Sequence, residues 1–267
     1  MTTTTRRLLG AALCLALGAT AACGSDDDDS DAAGPSTTAA ESDLEGTITV
    51  FAAASLTDAF GEAAEEFMGD HPDVTVELNL AASSALREQI LAGAPSDVFA
   101  SANASNMDEI VEAGAAEDPE VLTRNALEIV VPADNPAGVD GLDDFADPDL
   151  LIGLCAAEVP CGDFGREALA NAGVTPAQDT DEPDVRSLLT KVAEGELDAG
   201  IVYRSDVLAA GDTVEGIEIP EDVNVIAEYP IATLTGSSAP EVADAFVEYL
   251  LGDEGQAILA SWGFDTT

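Results

Sequence analysis

The stretch TITVFAAASLTDAFGEAAEEFM, residues 47–68, decides the fold class of this chain. Residues 47–51 form an apolar run that predicts a buried strand. In the rest of the stretch, apolar side chains recur at i, i+3, i+4 and i+7, which predicts an amphipathic helix. We expect Ser55 to cap the start of this helix, with Asp58 three residues later. A buried strand followed at once by a helix is the repeating unit of α/β proteins.

The same alternation of strands and helices continues along the chain. After the first helix stops at His71-Pro72, further strands are predicted at residues 74–80, 97–100, 150–154 and 199–203. Helices are predicted from about residues 81–84, 162–171 and 184–192, and two more at 242–250 and 254–260. Because parallel strands need crossover connections, this order indicates mostly parallel sheets flanked by helices.

Two long extended runs, residues 124–131 and 224–234, are candidates for strands that cross between two βα units. The last two helices would then return to the first unit. This arrangement predicts a hinged, two-lobe binding protein. One continuous doubly wound domain with a C-terminal helical cap remains an alternative.

Composition excludes several classes of function. The formal net charge is -45, with 53 acidic residues against 8 Lys plus Arg. Nucleic acid is therefore not an expected partner, since binding a phosphate backbone requires a basic surface. The chain has no Gly-x-Ser-x-Gly elbow, phosphate loop or dinucleotide fingerprint, and its single histidine, His71, lies in a predicted loop. We therefore expect a binding protein that has no cofactor and is not an enzyme.

The N-terminal residues resemble an export signal rather than part of the fold. Arg6-Arg7 precede a short apolar run, and the small residues that follow end at Cys23, as in a bacterial lipoprotein cleavage site. We expect residues 1–22 to be a signal peptide and Cys23 to be acylated, which would anchor the protein to the outer face of the cell membrane. An ordinary secretory signal, and export by the twin-arginine route, stay open. Residues 23–45, rich in Asp, Ser, Thr, Ala, Gly and Pro, predict a flexible acidic spacer.

Two cysteines remain in the exported body. Cys155 and Cys161 are an even pair with five residues between them, so an oxidising compartment favours a disulfide between them. Two free buried thiols are the alternative.

Small and hydroxyl-bearing residues fall at the predicted helix starts. Ser55, Ser83, the turn at Pro160-Cys161-Gly162, and Val185 each lie at or beside a helix N-terminus. Such a terminus presents backbone N–H groups without an internal partner, and its dipole favours negative charge. Helix capping explains each serine taken alone, but their joint placement predicts an anion site without a formal positive charge.

Five segments, in order, resemble the periplasmic molybdate-binding proteins of ABC transporters. They are TVFAAASLT at 49–57, GAPSDVF at 93–99, VPCG at 159–162, DVR at 184–186 and GIVYRSD at 200–206. The resemblance spans residues 46–267. It implies a type II periplasmic-binding-protein fold, with lobe 1 at residues 46–127 plus 232–267 and lobe 2 at residues 128–231. It also implies a monomer that delivers molybdate or tungstate to a membrane permease.

The resemblance also implies a set of ligand-binding residues, with molybdenum present only as the bound oxyanion. Ser55 and Ser83 would supply hydroxyl and backbone donors, Cys161 and Val185 backbone N–H groups, and Tyr203 its phenol. Cys161 departs from the small alanine-like residue common in the family, and Ser84 is an alternative to Ser83.

Other ligands stay open at this stage. Sulfate has the same shape and charge as molybdate. A small organic anion could be bound by Arg166, Arg186 and Arg204, although surface ion pairing also explains these arginines. Ferric ion is disfavoured because it calls for clustered tyrosines with carboxylate or histidine, and Tyr249 falls on the apolar stripe of a helix.

Overall fold

The computed structural model describes residues 44–266, which form a body of nine strands and eight α-helices. The strands are β1 (Gly46–Ala53), β2 (Val74–Ala81), β3 (Val98–Ala100), β4 (Glu120–Pro132), β5 (Ile152–Cys155), β6 (Gln178–Glu182), β7 (Ala199–Tyr203), β8 (Val214–Glu218) and β9 (Ile226–Thr233). The helices are α1 (Thr57–Asp70), α2 (Ser83–Leu91), α3 (Ala104–Glu112), α4 (Pro160–Asn171), α5 (Val185–Ala193), α6 (Arg204–Ala210), α7 (Pro240–Leu251) and α8 (Asp253–Ser261).

The strands run in the order β2-β1-β3-β9-β4-β7-β5-β6, with β8 also paired to β4. Two parallel groups are present: β1 pairs with β2 and β3, and β5 pairs with β6 and β7. Between them lie β4 and β9, which are antiparallel to each other and to the neighbouring strands β7 and β3. These antiparallel central strands exclude the alternative of one doubly wound parallel sheet.

The predicted crossings are confirmed as β4 and β9. The first half of β4, Glu120 to Ala126, pairs with β9, and the second half, from Leu127, pairs with β7 and β8. Strand β4 therefore runs continuously from one group of strands to the other, and β9 runs beside its first half.

Aromatic packing brings the C-terminal helices back to the first group of strands, as predicted. Phe60 and Phe67 of α1 contact Phe246 of α7 edge to face, with ring centroids 6.3 Å and 5.2 Å apart. A second apolar cluster, which includes Phe51, Leu86 and Phe99, lies under α2 and α3. Helices therefore bury apolar surface of the first group, and this burial is the main driving force for its folding.

Several local predictions were wrong or incomplete. Ser55 is not a helix cap: a short 3-10 turn occupies residues 54–56, α1 begins at Thr57, and no side chain caps either start. The elements α3, β6, α6 and β8 were not predicted. Strand β6 reads QDTDE and has no apolar residue, and only its last position, Glu182, is buried. Helix α6 is only 7 residues long, too short for a clear periodic signal. Helix α3 was missed although it is as long as α2 and α5 and buries Met107 and Ile110 at helical spacing.

The turn between β5 and α4 is fixed covalently. Cys155, the last residue of β5, forms a disulfide with Cys161 in the first turn of α4, with the two Cα atoms 5.7 Å apart. The predicted disulfide is thus present in place of two free thiols. Pro160 suits the first position of a helix, where its missing N–H is not needed. Gly162 lets the helix start approach the strand closely, since a Cβ there would lie 1.9 Å from the Ala156 carbonyl oxygen.

The predicted signal peptide, the acylated Cys23 and all but the last two residues of the predicted spacer lie outside the described residues. Within residues 44–266, no helix has the length and apolar character needed to cross a membrane.

Replacing Gly162 with alanine tests how tightly this turn is packed. We expect G162A to lower the free energy of unfolding by about 1–3 kcal/mol, because the backbone must move to remove the overlap. Gly61 in α1 is the matched control, since a Cβ there meets no atom within 4 Å. G61A should be neutral or raise stability by up to about 1 kcal/mol. Denaturant unfolding followed by circular dichroism measures both, and equal stability of the two variants would contradict this account.

Candidate anion-binding site

All five residues predicted to bind the ligand line one small cavity. Its volume is about 20 Å³, slightly more than the roughly 10–15 Å³ that one water molecule needs. The residues reach it from both groups of strands: Ser55 and Ser83 from the first, and Cys161, Val185 and Tyr203 from the second. A cavity of this size suits a compact ligand and not an extended organic molecule.

The topology explains why residues so far apart in sequence converge. Each of them follows, or ends, a strand of one of the two parallel groups, and the carboxyl ends of parallel strands lie at the same edge of a sheet. Ser83 and Val185 are the first residues of α2 and α5, and Cys161 is the second residue of α4. Helix N-termini of this kind carry unpaired backbone N–H groups, and these three helix starts line the cavity.

The Ser83 hydroxyl has a defined hydrogen-bonding direction. Its Oγ accepts a hydrogen bond from the backbone N–H of Ala102 at 2.9 Å. Because an N–H group can only donate, the hydroxyl proton of Ser83 is left to donate elsewhere. Ser84 does not line the cavity, so the structure places Ser83 there and not its neighbour.

The Ser55 hydroxyl lies 2.9 Å from the phenolic oxygen of Tyr229, which is fully buried on the crossing strand β9. The Ser55 hydroxyl therefore contacts Tyr229 and does not form the helix cap that the sequence predicted. Sequence reasoning did not assign Tyr229 to the site, and its only signal was a tyrosine within a predicted crossing strand.

Tyr203 contributes a buried phenol whose hydroxyl is not well paired within the described residues. Its side chain is 1% exposed, and its hydroxyl makes no hydrogen bond of normal geometry with any described residue. Burial raises the pKa of Tyr203 well above its ordinary value, reinforced by Tyr229 and by the carboxylate of Asp206, so the phenol keeps its proton. A buried donor without a partner is costly, which points to a ligand as its acceptor.

No cationic side chain lines the cavity in the described part of the chain. Asp184 is the one charged residue there, and its carboxylate accepts hydrogen bonds from the Ser187 N–H at 2.8 Å and the Ser187 hydroxyl at 3.0 Å. Asp184 thus caps the N-terminus of α5, where the helix dipole stabilises its negative charge. The cavity therefore offers an anion hydrogen-bond donors without a formal positive charge.

The three arginines that could have formed a basic pocket lie elsewhere. Arg166 and Arg204 pair with Asp181 and Asp265, each through a nitrogen to oxygen distance under 2.8 Å. Neither of them lines the cavity, and neither does Arg186. No cluster of three or more His, Cys, Asp or Glu side chains suited to a metal ion occurs between residues 44 and 266.

Arg186 links the two groups of strands beside the cavity. Its guanidinium pairs with Asp58 on α1, and its Nε lies 3.1 Å from Oδ1 of Asp206 on α6. Asp206 is completely buried and also accepts a hydrogen bond from the Tyr203 N–H at 3.1 Å. Asp206 ends the segment at residues 200–206, and sequence patterns indicate no role for it. Only the tertiary structure shows that it contacts both Arg186 and Tyr203.

The Asp206 carboxyl should bind a proton at a higher pH than an ordinary aspartate does. Burial raises its pKa to about 6, while the Arg186 guanidinium opposes this rise. As pH falls, the folded protein binds this proton at a higher pH than the unfolded chain does. Protonation therefore favours the folded state, and the contribution of Asp206 to stability grows as pH falls. Relative to D206N, the wild type should therefore gain up to about 3 kcal/mol between about pH 7 and pH 4.

Denaturant unfolding of both proteins across that pH range measures the difference. Asparagine can still accept the hydrogen bond from the Tyr203 N–H, which limits other effects of the substitution. A stability difference that stays constant with pH, or that moves against the wild type on acidification, would show that Asp206 keeps an ordinary pKa.

Comparison with known proteins shows what this chain is similar to. Residues 48–265 match the family model described as bacterial extracellular solute-binding protein. The chain is 37% identical over 244 residues, covering 91% of both proteins, to the molybdate-binding protein ModA of Mycobacterium tuberculosis. It is 30% identical to the putative ABC transporter substrate-binding lipoprotein YvgL of Bacillus subtilis, covering 84% of this chain and 88% of that protein.

The fold also matches a solved structure. The periplasmic molybdate-binding protein of Azotobacter vinelandii superposes with a TM-score of 0.74 at 18% identity, over 82% of this chain and 99% of that one. The predicted α/β periplasmic-binding-protein fold, with two groups of strands joined by two crossings, is confirmed.

Proposed function

The chain belongs to the family of bacterial extracellular solute-binding proteins, and on that premise we propose that it captures molybdate, or the closely similar tungstate, for an ABC transporter. The family consists of binding proteins, in agreement with the expectation that the chain is not an enzyme. The observation that carries the ligand assignment is a cavity lined by hydrogen-bond donors, without a cationic side chain, in which a buried phenol lacks a protein acceptor.

The chemistry of the ligand fits such a cavity. Molybdate and tungstate carry two negative charges and no proton near neutral pH, so they only accept hydrogen bonds. Neutral donors bind them without burying an arginine, whose desolvation would offset much of its attraction. Each charge-assisted hydrogen bond contributes about 1.5–3 kcal/mol. Several of them, less the cost of association, would give a binding free energy of roughly -8 to -12 kcal/mol.

In this proposal five residues hold the oxyanion. The hydroxyls of Ser55 and Ser83 donate from one side, and the phenol of Tyr203 donates from the other. The backbone N–H groups of Cys161 and Val185 complete the set. Because the contact at Cys161 is made by the main chain, its side chain is free to form the disulfide with Cys155.

Binding in this proposal closes two lobes around the anion. Lobe 1 comprises residues 46–127 plus 232–267, lobe 2 comprises residues 128–231, and β4 and β9 form the hinge. The donors are divided between the lobes, so all of them reach one small anion only when the lobes are together. The ion pair between Arg186 in lobe 2 and Asp58 in lobe 1 would stabilise the closed form directly.

Membrane attachment and delivery complete the proposal. The family is extracellular, and one relative is described as a lipoprotein, which supports a lipid anchor on Cys23. From there the loaded protein would pass the oxyanion to the membrane permease of its transporter.

Calorimetric titration with molybdate, tungstate, sulfate and phosphate tests the ligand. We expect molybdate and tungstate to bind tightest. Replacing Tyr203 with phenylalanine removes one charge-assisted hydrogen bond and should weaken molybdate binding by about 10- to 100-fold. Y249F is the matched control, since the Tyr249 hydroxyl contacts Glu66 at 3.3 Å, away from the cavity. Unchanged molybdate affinity in Y203F would refute the proposed site.

Closure can be tested separately through the dissociation rate. D58N removes an ion pair between the lobes whose side chains are 26% and 34% exposed. Molybdate should therefore dissociate about two- to fivefold faster, while the association rate stays nearly constant. D181N is the control, because the ion pair of Asp181 with Arg166 lies within lobe 2. Stopped-flow measurements showing equal dissociation rates for the two variants would remove Asp58 from the closure mechanism.

A further inference from the structure

Tyr229 is a buried residue behind the cavity whose hydroxyl contacts one of the proposed ligand residues. Its phenolic oxygen lies 2.9 Å from Ser55 Oγ, and its side chain is 0% exposed. It does not line the cavity itself. The rings of Tyr203 and Phe264 pack edge to face against it, with centroids 6.0 Å and 5.5 Å away, and so hold the hydroxyl in place.

A hydroxyl has only one proton, and this limits what Ser55 can do. If Ser55 donated its proton to Tyr229, it would present a lone pair to the cavity and repel an anion. If Tyr229 donates to Ser55, the proton of Ser55 is left for the ligand. Ser83 already has the second arrangement, because its partner is the N–H of Ala102.

We infer that Tyr229 donates its proton to Ser55 Oγ and is thereby a specificity-determining residue, which makes the Ser55 hydroxyl a donor toward the bound oxyanion. This inference rests on the proposed oxyanion function.

The surroundings of Tyr229 favour this direction. The nearby Asn125 donates through Nδ2 to Ser205 Oγ at 2.8 Å, and its Oδ1 accepts no hydrogen bond from any residue in the described range. The Tyr203 hydroxyl also lies near that of Tyr229, but it has no hydrogen bond of normal geometry. Ser55 is therefore the acceptor with normal geometry for the Tyr229 proton. Burial raises the pKa of Tyr229 far above its ordinary value, so the phenol keeps that proton at any physiological pH.

The consequence is selectivity against oxyanions that carry a proton. Sulfate and hydrogen phosphate have nearly the same size and, at mildly alkaline pH, the same charge, but only hydrogen phosphate has a proton to donate. If both serines donate, neither can accept the hydrogen phosphate proton. That proton would then face other hydrogen-bond donors, which disfavours binding. The comparison of these two anions therefore separates hydrogen-bond direction from cavity size.

The test uses the full exported body with the variants Y229F, S55A, S55A/Y229F and the control Y249F. Displacement calorimetry against bound molybdate measures the dissociation constants of molybdate, sulfate and hydrogen phosphate at mildly alkaline pH. We expect Y229F to weaken molybdate binding by about 5- to 10-fold, as for one lost hydrogen bond. We also expect the ratio of the phosphate to the sulfate dissociation constant to fall about tenfold, because Ser55 can then accept. In the S55A background, loss of the Tyr229 hydroxyl should have no further effect on that ratio.

Three results would overturn the inference. Unchanged or tighter molybdate binding in Y229F would mean that Ser55 had been donating to Tyr229. Equal losses for sulfate and phosphate, or phosphate still below detection in Y229F, would mean that Tyr229 only supports the structure. The same shift in Y249F would mean that it is not specific to Ser55. By contrast, a wild-type protein that binds no tetrahedral oxyanion would refute the proposed function itself.

Discussion

The proposed site depends on one physical constraint: a doubly charged anion would have to be dehydrated by groups that carry no charge of their own. Backbone N–H groups at helix starts meet this constraint, because they are already unpaired and their dipoles point the right way. Ser83 and Val185 begin α2 and α5, and Cys161 lies in the first turn of α4. The parallel strands that precede these helices bring their starts to one place. The α/β fold thus builds the donors before any side chain is considered.

Charge elsewhere in the molecule is organised so that it does not interfere with the cavity. The exported body contains only six Lys and Arg residues, and each of them forms an ion pair with a carboxylate. None is left to compete as a separate anion site in the described range. The many remaining carboxylates lie at the surface, where salt screens them within about 8–10 Å. In the proposed function, hydrogen-bond direction and not net charge therefore determines what the cavity accepts.

Local sequence patterns were enough to predict much of this arrangement. The apolar run at β1, the periodic stripe of α1 and the even pair Cys155 and Cys161 each have a physical reason that depends on a few neighbouring residues. The predictions failed where that reason is absent or ambiguous. Strand β6 is polar because it lies at the end of the sheet order, and Ser55 looks like a helix cap although its hydroxyl contacts Tyr229. A serine before a helix predicts a cap, but a buried tyrosine can satisfy the same hydroxyl.

By itself, the sequence determined most of the alternation of strands and helices and the approximate starts of six helices, and it favoured the disulfide, since periodicity and spacing act over short distances along the chain. Its resemblance to known binding proteins also identified five of the residues that line the cavity. Only the tertiary structure decided which groups lie behind them. Tyr229 is 174 residues from Ser55, and Arg186 is 128 residues from Asp58. Contacts over such separations depend on how β4 and β9 cross between the two groups of strands, and no local pattern records which side chains that crossing brings together.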